Sequence, residues 1–353
     1  MTLFSGAPVP IFSARSHRNP TYAFDSVAGR YVLLALLPTD AEGRRAALRV
    51  PQGDRALLND SFACAFLVVR DEADFQAGAD GPGLRWFHDP EGEIARLYEA
   101  VDAEGQLQPR WVLIDPSLRL IGHWPITETA QVFNMLRRLP APDDHAGVPL
   151  NAPVLIVPRV FEPAFCRELI AYYHANGGEP SGTMHQVNGR TVGRLSDFKK
   201  RRDAQIESED LRVGMRQRLS RRLLPELEKA FQYKATRIER YIVACYDAEE
   251  GGYFRPHRDN TTAGTAHRQF AVSINLNAEE FEGGDLRFPE FGGRTYRPPT
   301  GGAVVFSCSL LHEATAVTKG TRYATLPFLY DDASAAVRVQ NLHLLQPEPA
   351  AAE

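Results

Sequence analysis

Apolar and polar positions alternate differently in the two halves of the chain. Residues 31–39, "YVLLALLPT", form an unbroken apolar run that ends in a turn signal, the pattern of a strand buried on both faces. "CAFLVV" at 64–69 is a second such run. Between them "AEGRRAALRV" reads as a helix, and "EGEIARLYEAV" as a clearer one with Ile94, Leu97 and Tyr98 on one face. "RWVLIDPSLRLIGHWP" places two apolar runs around the turn "DPS" and predicts a hairpin. Strands alternating with helices and closing on a hairpin predict a small α/β sandwich.

The stretch 138–153, "RLPAPDDHAGVPLNAP", concentrates Pro, Asp, Gly and Asn, as a boundary does. Beyond it "EPAFCRELIAYYHAN" and "EDLRVGMRQRLSRRLLPELEKAF" are helical, and most of the remaining chain is short strands: "ERYIVACY", "QFAVSINLN", "DLRF", "RTYRP", "GAVVFS" and "TRYATLPFLY". Helices followed by strands at Gly-Gly and Pro-Pro signals predict a β-sandwich or jelly roll buttressed by helices. The expected organisation is a domain over 1–140, a linker over 141–152, a second domain over 153–345 and a loose tail over 346–353.

Composition narrows the class. A length of 353 residues suits two cores, and 44% hydrophobic with 24% charged residues is ordinary for globular domains. A net charge of -4 argues against a nucleic-acid partner. The four cysteines, Cys64, Cys166, Cys245 and Cys308, have neither CxxC nor zinc-like spacing, which predicts free thiols in a reducing compartment. No apolar run approaches the roughly 18 residues of a membrane span, and the start "MTLFSGAPVPIF" lacks a signal-peptide pattern, so a cytoplasmic protein without membrane contact is expected.

The candidate chemistry lies in "YFRPHRDN". His257 and Asp259 are i and i+2, so on an extended segment both point to one side. Two histidines and one carboxylate on one face of a metal leave positions open for a cosubstrate and dioxygen, the arrangement of non-haem Fe(II) oxygenases. His312 in "SCSLLHEATAV", 55 residues after His257 and just past the strand "GAVVFS", is the candidate third ligand. Arg322 opens a further strand with Ala324, Leu326 and Phe328 facing inward beside it. An arginine aimed into a barrel is costly unless a carboxylate receives its donors, which predicts a dianionic ligand inside.

These pieces, "HRD", "SLLHEA" and "VTKGTRYATLPFLY", resemble the 2-oxoglutarate and Fe(II)-dependent dioxygenases, in their prolyl 4-hydroxylase-like branch. The resemblance implies a C-terminal double-stranded β-helix with supporting helices. It also implies iron held by His257, Asp259 and His312, and 2-oxoglutarate with its distal carboxylate on Arg322. Dioxygen would be the oxidant and ascorbate a reductant. It places Tyr246 near the cosubstrate, with a plain core tyrosine as the competing reading. Strict alternation on "QFAVSINLN" puts Phe270, Val272, Ile274 and Leu276 on one face and Ala271, Ser273, Asn275 and Asn277 on the pocket side. Asn275 stands where some relatives carry a cosubstrate-binding tyrosine. Because Asp259 is present, hydroxylation is expected rather than halogenation. The implied substrate is a protein or peptide side chain, prolyl first, with a free amino acid or small metabolite as the alternative.

The first half resembles a peroxiredoxin or thioredoxin-like α/β domain through "GAPVPIFSA", "AGRYVLLALLPTD" and "WVLIDPSLRLIG". "LLPTDAEGRRAALRV" has no cysteine where peroxiredoxins carry the reactive one, so a redox-inactive module that serves docking or a homodimer is expected. The rival is a thiol-based, peroxide-responsive protein acting through Cys64, with a second half that only binds a ligand. A third possibility is a scaffold without turnover. "FKKRRDAQ" (198–205) with Arg212, Arg216, Arg218, Arg221 and Arg222 reads as a solvated loop and helix face, with steering of an acidic substrate as the sharper alternative. The resemblance adds a mobile lid near "GRTVGRLSDFKKRR". Gly283 and Gly284 read as a turn without chemistry.

Overall fold

The structure is a computed structural model that describes residues 3–346 except Gln52 and Asn188. The expected loose tail therefore lies outside the described residues from position 347 onward. The chain forms two compact units, one of residues 1–151 with 289–293 and one of residues 152–288 with 294–353. No helix is long and apolar enough to cross a membrane among the described residues.

The first unit is built on a five-stranded sheet of β1 (Tyr31–Leu36), β2 (Ala63–Val69), β3 (Leu84–His88), β4 (Arg110–Ile114) and β5 (Leu120–Pro125), in the order β3-β2-β1-β4-β5. β1, β2 and β3 are parallel, whereas β4 and β5 form the antiparallel hairpin that the two runs around "DPS" predict. Every residue of β1 and β2 is buried, as their unbroken apolar runs require. One face packs Leu33, Ala35, Ala65 and Leu67 on Val132, Phe133 and Leu136 of the helix Thr129–Arg138. On the other, Phe66 stacks on Phe87 at 4.6 Å within a group that includes Phe12, Phe24 and Tyr98.

The helix read over "EGEIARLYEAV" is a single turn, Glu93–Leu97. Its amides at Glu93 and Ile94 are taken by the carboxylate of Asp89 at 2.8 and 3.1 Å. Ile94 and Tyr98 are buried, but Leu97 is exposed: the helix stops there, and the face expected to carry all three never completes.

The second unit is β-rich. Its labelled strands are β6 (Lys199–Lys200), β7 (Arg202–Gln205), β8 (Arg237–Glu239), β9 (Ile242–Asp247), β10 (Tyr253–His257), β11 (Phe270–Asn275), β12 (Ala303–Ser307), β13 (His312–Ala314), β14 (Thr321–Thr325) and β15 (Phe328–Tyr330). A large sheet runs β8-β15-β11-β14-β9-β7, with β12 also beside β11, and a smaller one runs β6-β10-β13. The alternation on β11 is realised: Val272, Ile274 and Leu276 pack into a core with Phe165, Leu169, Leu211, Met215, Leu219 and Leu227 of the preceding helices. On its opposite face the large sheet turns Ile242, Ala244 and Tyr246 toward Ala314 and Phe254 of the smaller one.

Three local expectations change. "TRYATLPFLY" is two strands rather than one, broken at Leu326 and Pro327, because proline lacks the donor that a ladder needs. Gly283 takes a φ of 71°, and a Cβ there would stand 2.1 Å from the Ala316 carbonyl, so close backbone approach demands glycine. The expected lid, 189–202, contains a strand, Arg190–Arg194, that pairs antiparallel with Thr183–Val187.

Candidate metal centre

β10 and β13 pair antiparallel, and His257 and His312 are direct cross-strand partners. The register shifts between Phe254 and His257, an irregularity that re-aims the end of β10. Asp259 lies two residues past His257, its amide fixed to the Cys308 carbonyl at 3.0 Å. The three side chains thereby converge, with one ligand atom from each within 4.8 Å of the others.

Hydrogen bonds aim the imidazoles. Nδ1 of His257 lies 2.7 Å from the Arg255 carbonyl and Nδ1 of His312 lies 3.0 Å from the Leu310 carbonyl. A carbonyl only accepts, so each Nδ1 carries a proton and donates, which turns each Nε2 toward Asp259. The Nε2 atoms stand 3.6 and 3.4 Å from the two carboxylate oxygens of Asp259.

Charge state suits the same purpose. Burial, helped by the neighbouring His257, lowers His312 to about 4, so it is neutral near pH 7. Burial resists ionisation of Asp259, yet the His312 and His257 imidazoles and Arg268 bring its carboxyl below the usual range. Two imidazoles and one carboxylate on one side of a common point form a donor set that fits ferrous iron. Phe254 stacks on His257 at 3.4 Å and Phe306 lies 4.6 Å from His312, so apolar rings wall the centre.

Arg322 lies opposite Tyr246 on β14 and β9 and is 2% exposed. Its Nη2 donates to Ser273 Oγ at 2.9 Å and its Nε to Asn275 Oδ1 at 3.3 Å, while the Tyr246 ring faces the guanidinium at 5.2 Å. The residues singled out around the expected cosubstrate, Tyr246, Asn275 and Arg322, are thus brought together, with Ser273 beside them. Asn275 also donates to the Pro298 carbonyl at 2.9 Å, and so acts as a brace for the arginine. Arg322 forms no ion pair with a carboxylate among the described residues, although it is buried.

The basic stretch departs from the solvated reading. Lys199 and Arg201 are 8% and 7% exposed, with Lys200 outward between them. Arg201 pairs with Asp203 at 2.6 Å and donates to the Tyr246 hydroxyl at 3.3 Å. A two-residue period hidden in the charge run was the available signal. The arginines further along do stay at the surface, where Arg212 meets Glu207, Arg216 meets Glu209, and Arg218 and Arg222 share Glu162.

Residues 241–330 match the family model described as the 2OG-Fe(II) oxygenase superfamily, and this span holds all three converging side chains and Arg322. The C-terminal region is therefore a 2OG-Fe(II) oxygenase domain. Over 112 residues the chain is 32% identical to a multifunctional procollagen lysine hydroxylase and glycosyltransferase of Caenorhabditis elegans, covering 30% of this chain and 14% of that one. Over 98 residues it is 26% identical to a PKHD-type hydroxylase of Synechococcus sp. (strain JA-2-3B'a(2-13)), covering 26% of this chain and 43% of the relative. The chain thus spans less than half the length of these curated relatives. A crystal structure of a Pseudomonas putida prolyl-4-hydroxylase aligns with a TM-score of 0.38 at 18% identity, over 54% of this chain and 96% of that one.

Proposed function

We propose that the protein is a non-haem Fe(II) dioxygenase that couples oxidative decarboxylation of 2-oxoglutarate to hydroxylation of a C–H bond. The observation that carries this is the convergence of His257, Asp259 and His312 at the smaller sheet, with a buried Arg322, without a carboxylate partner among the described residues, on the large sheet that packs against it. The chemistry supplied at the triad, once ferrous iron is bound, is activation of dioxygen with 2-oxoglutarate as the co-reductant, yielding succinate and carbon dioxide. The chain's own part is positioning. Arg322 receives the distal carboxylate through its planar fork, braced by Ser273 and Asn275. Tyr246 covers the guanidinium, while Phe254 and Phe306 keep water from the metal's apolar flank.

The favoured substrate is a protein or peptide side chain, prolyl first, supported by relatives named as hydroxylases; a free amino acid or small metabolite is the alternative. The N-terminal unit is a thioredoxin-like module without redox chemistry, supported by its strand order and by the burial of Cys64, the cysteine of the rival thiol reading. We assign that module docking or self-association. The deciding experiment is oxygen-dependent release of carbon dioxide from 2-oxoglutarate with Fe(II) and ascorbate across a panel of candidate substrates. Release by the wild type that His257→Ala abolishes supports the reading. Equal release by both overturns it.

A further inference from the structure

The helix Thr129–Arg138 packs on one face of the sheet in the first unit, but toward the edge strand β3 the cover changes. Register pairs Ala65 with Leu84 and Leu67 with Trp86, so these four side chains of β2 and β3 turn to the same side. Above them stand Leu48, Val50 and Leu58 and the residues 77–79 that end the helix Glu72–Ala77, and a cavity of about 540 Å³ is left in their midst. The buried Trp111 and Phe133 reach it from the core.

Protein interiors pack closely, with few voids larger than a water molecule. An apolar cavity of about 150 Å³ admits one benzene ring, whereas sites for small molecules run from about 300 to 1,000 Å³. This cavity falls in the second class, and its aromatic walls are held in place. The Trp86 indole lies so close on Gly78 that a Cβ there would stand 2.5 Å from the ring, and Trp111 Nε1 donates to Thr129 Oγ1 at 3.2 Å.

The charge around the cavity has one sign. Arg49 and Arg55 line it from the exposed side, and no carboxylate lines it among the described residues. Neither arginine side chain has a hydrogen bond or an ion pair among the described residues. The carboxylates nearest to them in sequence are engaged elsewhere: Asp54 accepts from Arg137 at 2.7 and 2.9 Å, and Asp60 from Arg85 at 2.7 Å.

An apolar interior beneath two unanswered guanidinium groups is complementary to an amphipathic anion. We propose that this cavity binds a small organic acid, with its apolar body against Trp86, Trp111 and Phe133 and its carboxylate on Arg49 and Arg55. The site lies wholly within the first unit and is independent of the dioxygenase reading.

The chain's three tryptophans, Trp86, Trp111 and Trp124, all belong to the first unit, so their indole N–H signals in an NMR spectrum report on that unit alone. The full chain, with Mn(II) and saturating 2-oxoglutarate present, is titrated with decanoate against decanol and with 2-naphthoate against 2-naphthamide. Trp86→Phe identifies the Trp86 signal. At least one acid should bind with a Kd of about 0.3 mM or tighter, at least about fivefold tighter than its neutral partner, and should move the Trp86 and Trp111 signals more than that of Trp124. Replacing both arginines, Arg49→Gln with Arg55→Gln, should reduce the preference for the acid below about twofold and leave the neutral partner's affinity unchanged. Ala77→Trp, which fills the cavity from an exposed helix position, should weaken acid and neutral partner alike by about tenfold or more. All three substituted positions are exposed, so the fold survives these changes, and an unshifted Trp124 signal in the free variants verifies it. Weaker binding of both acids, a smaller preference over the neutral partners, a preference that survives the arginine changes, or shifts confined to Trp124 overturns the inference. So does a molecular mass in sedimentation equilibrium that Ala77→Trp halves, since the cavity would then be a face between copies of the chain.

Discussion

Asn275 braces Arg322: its Oδ1 accepts from the arginine Nε at 3.3 Å while its own amide donates to the Pro298 carbonyl at 2.9 Å. A buried hydrogen bond to a charged group contributes about 1.5–3 kcal/mol, so Asn275→Ala should raise the 2-oxoglutarate concentration for half-maximal turnover by roughly tenfold or more. Metal affinity, measured by equilibrium dialysis with Mn(II), should stay within error. Loss of both together would contradict the brace.

Arg322→Met should act on the same quantity more strongly. Removing the charged partner of a buried carboxylate costs about 2–5 kcal/mol, which predicts a requirement raised at least roughly thirtyfold. Arg322→Lys should recover only part, because a point charge replaces a two-pronged donor. Steady-state titration of the cosubstrate distinguishes the three proteins.

The triad makes the opposite prediction. Each of His257→Ala, Asp259→Ala and His312→Ala deletes one of three converging donors and should weaken Mn(II) or Fe(II) binding by more than about a hundredfold. A variant that kept wild-type affinity by dialysis would exclude that residue as a ligand.

Acid stability should carry the mark of Asp203. Burial raises its pKa, but Arg201, Arg240 and Lys199 outweigh this and hold the carboxyl at about 2, below its ordinary 3.8. The folded value is the depressed one, so the stabilisation is complete above pH 3.8 and is lost as the pH falls toward 2. Its size is roughly 2 kcal/mol. Asp203→Asn should therefore flatten the denaturation profile in that window, while costing about 3–5 kcal/mol near neutrality by leaving Arg201 without its carboxylate. Urea unfolding followed across pH measures both effects.

The thiols provide a further check. All four cysteines are buried, and burial raises Cys64 to about 12. Native protein should react with a thiol reagent only as fast as it opens, whereas denaturant should expose all four thiols at once. Peroxide consumption that disappears in Cys64→Ser would favour the rival thiol reading.

Much of this site could be read from the chain alone, for physical reasons that differ by residue. His257 and Asp259 were visible because a two-residue spacing on extended backbone fixes a common side, and His312 because it comes after a clean apolar strand. Arg322 and Asn275 were visible through alternation on β14 and β11. Lys199 and Arg201 were not, because "FKKRRD" has the charge density of a solvated loop, and only pairing of β6 with β10 turns alternate members inward. In the first half, the buried runs declared β1 and β2, but the apolar pattern did not show that the helix at Glu93 ends after Leu97, where Glu99 takes a left-handed φ of 52°.

The pairing of His257 with His312 across two strands carries a consequence for folding. A slip of one position would swing one imidazole out of the cleft, so correct alignment of β10 against β13 and the capacity to bind an ion are a single property of the chain. Metal uptake should then work as a latch, and amide protons along this ladder should exchange fastest in protein stripped by a chelator.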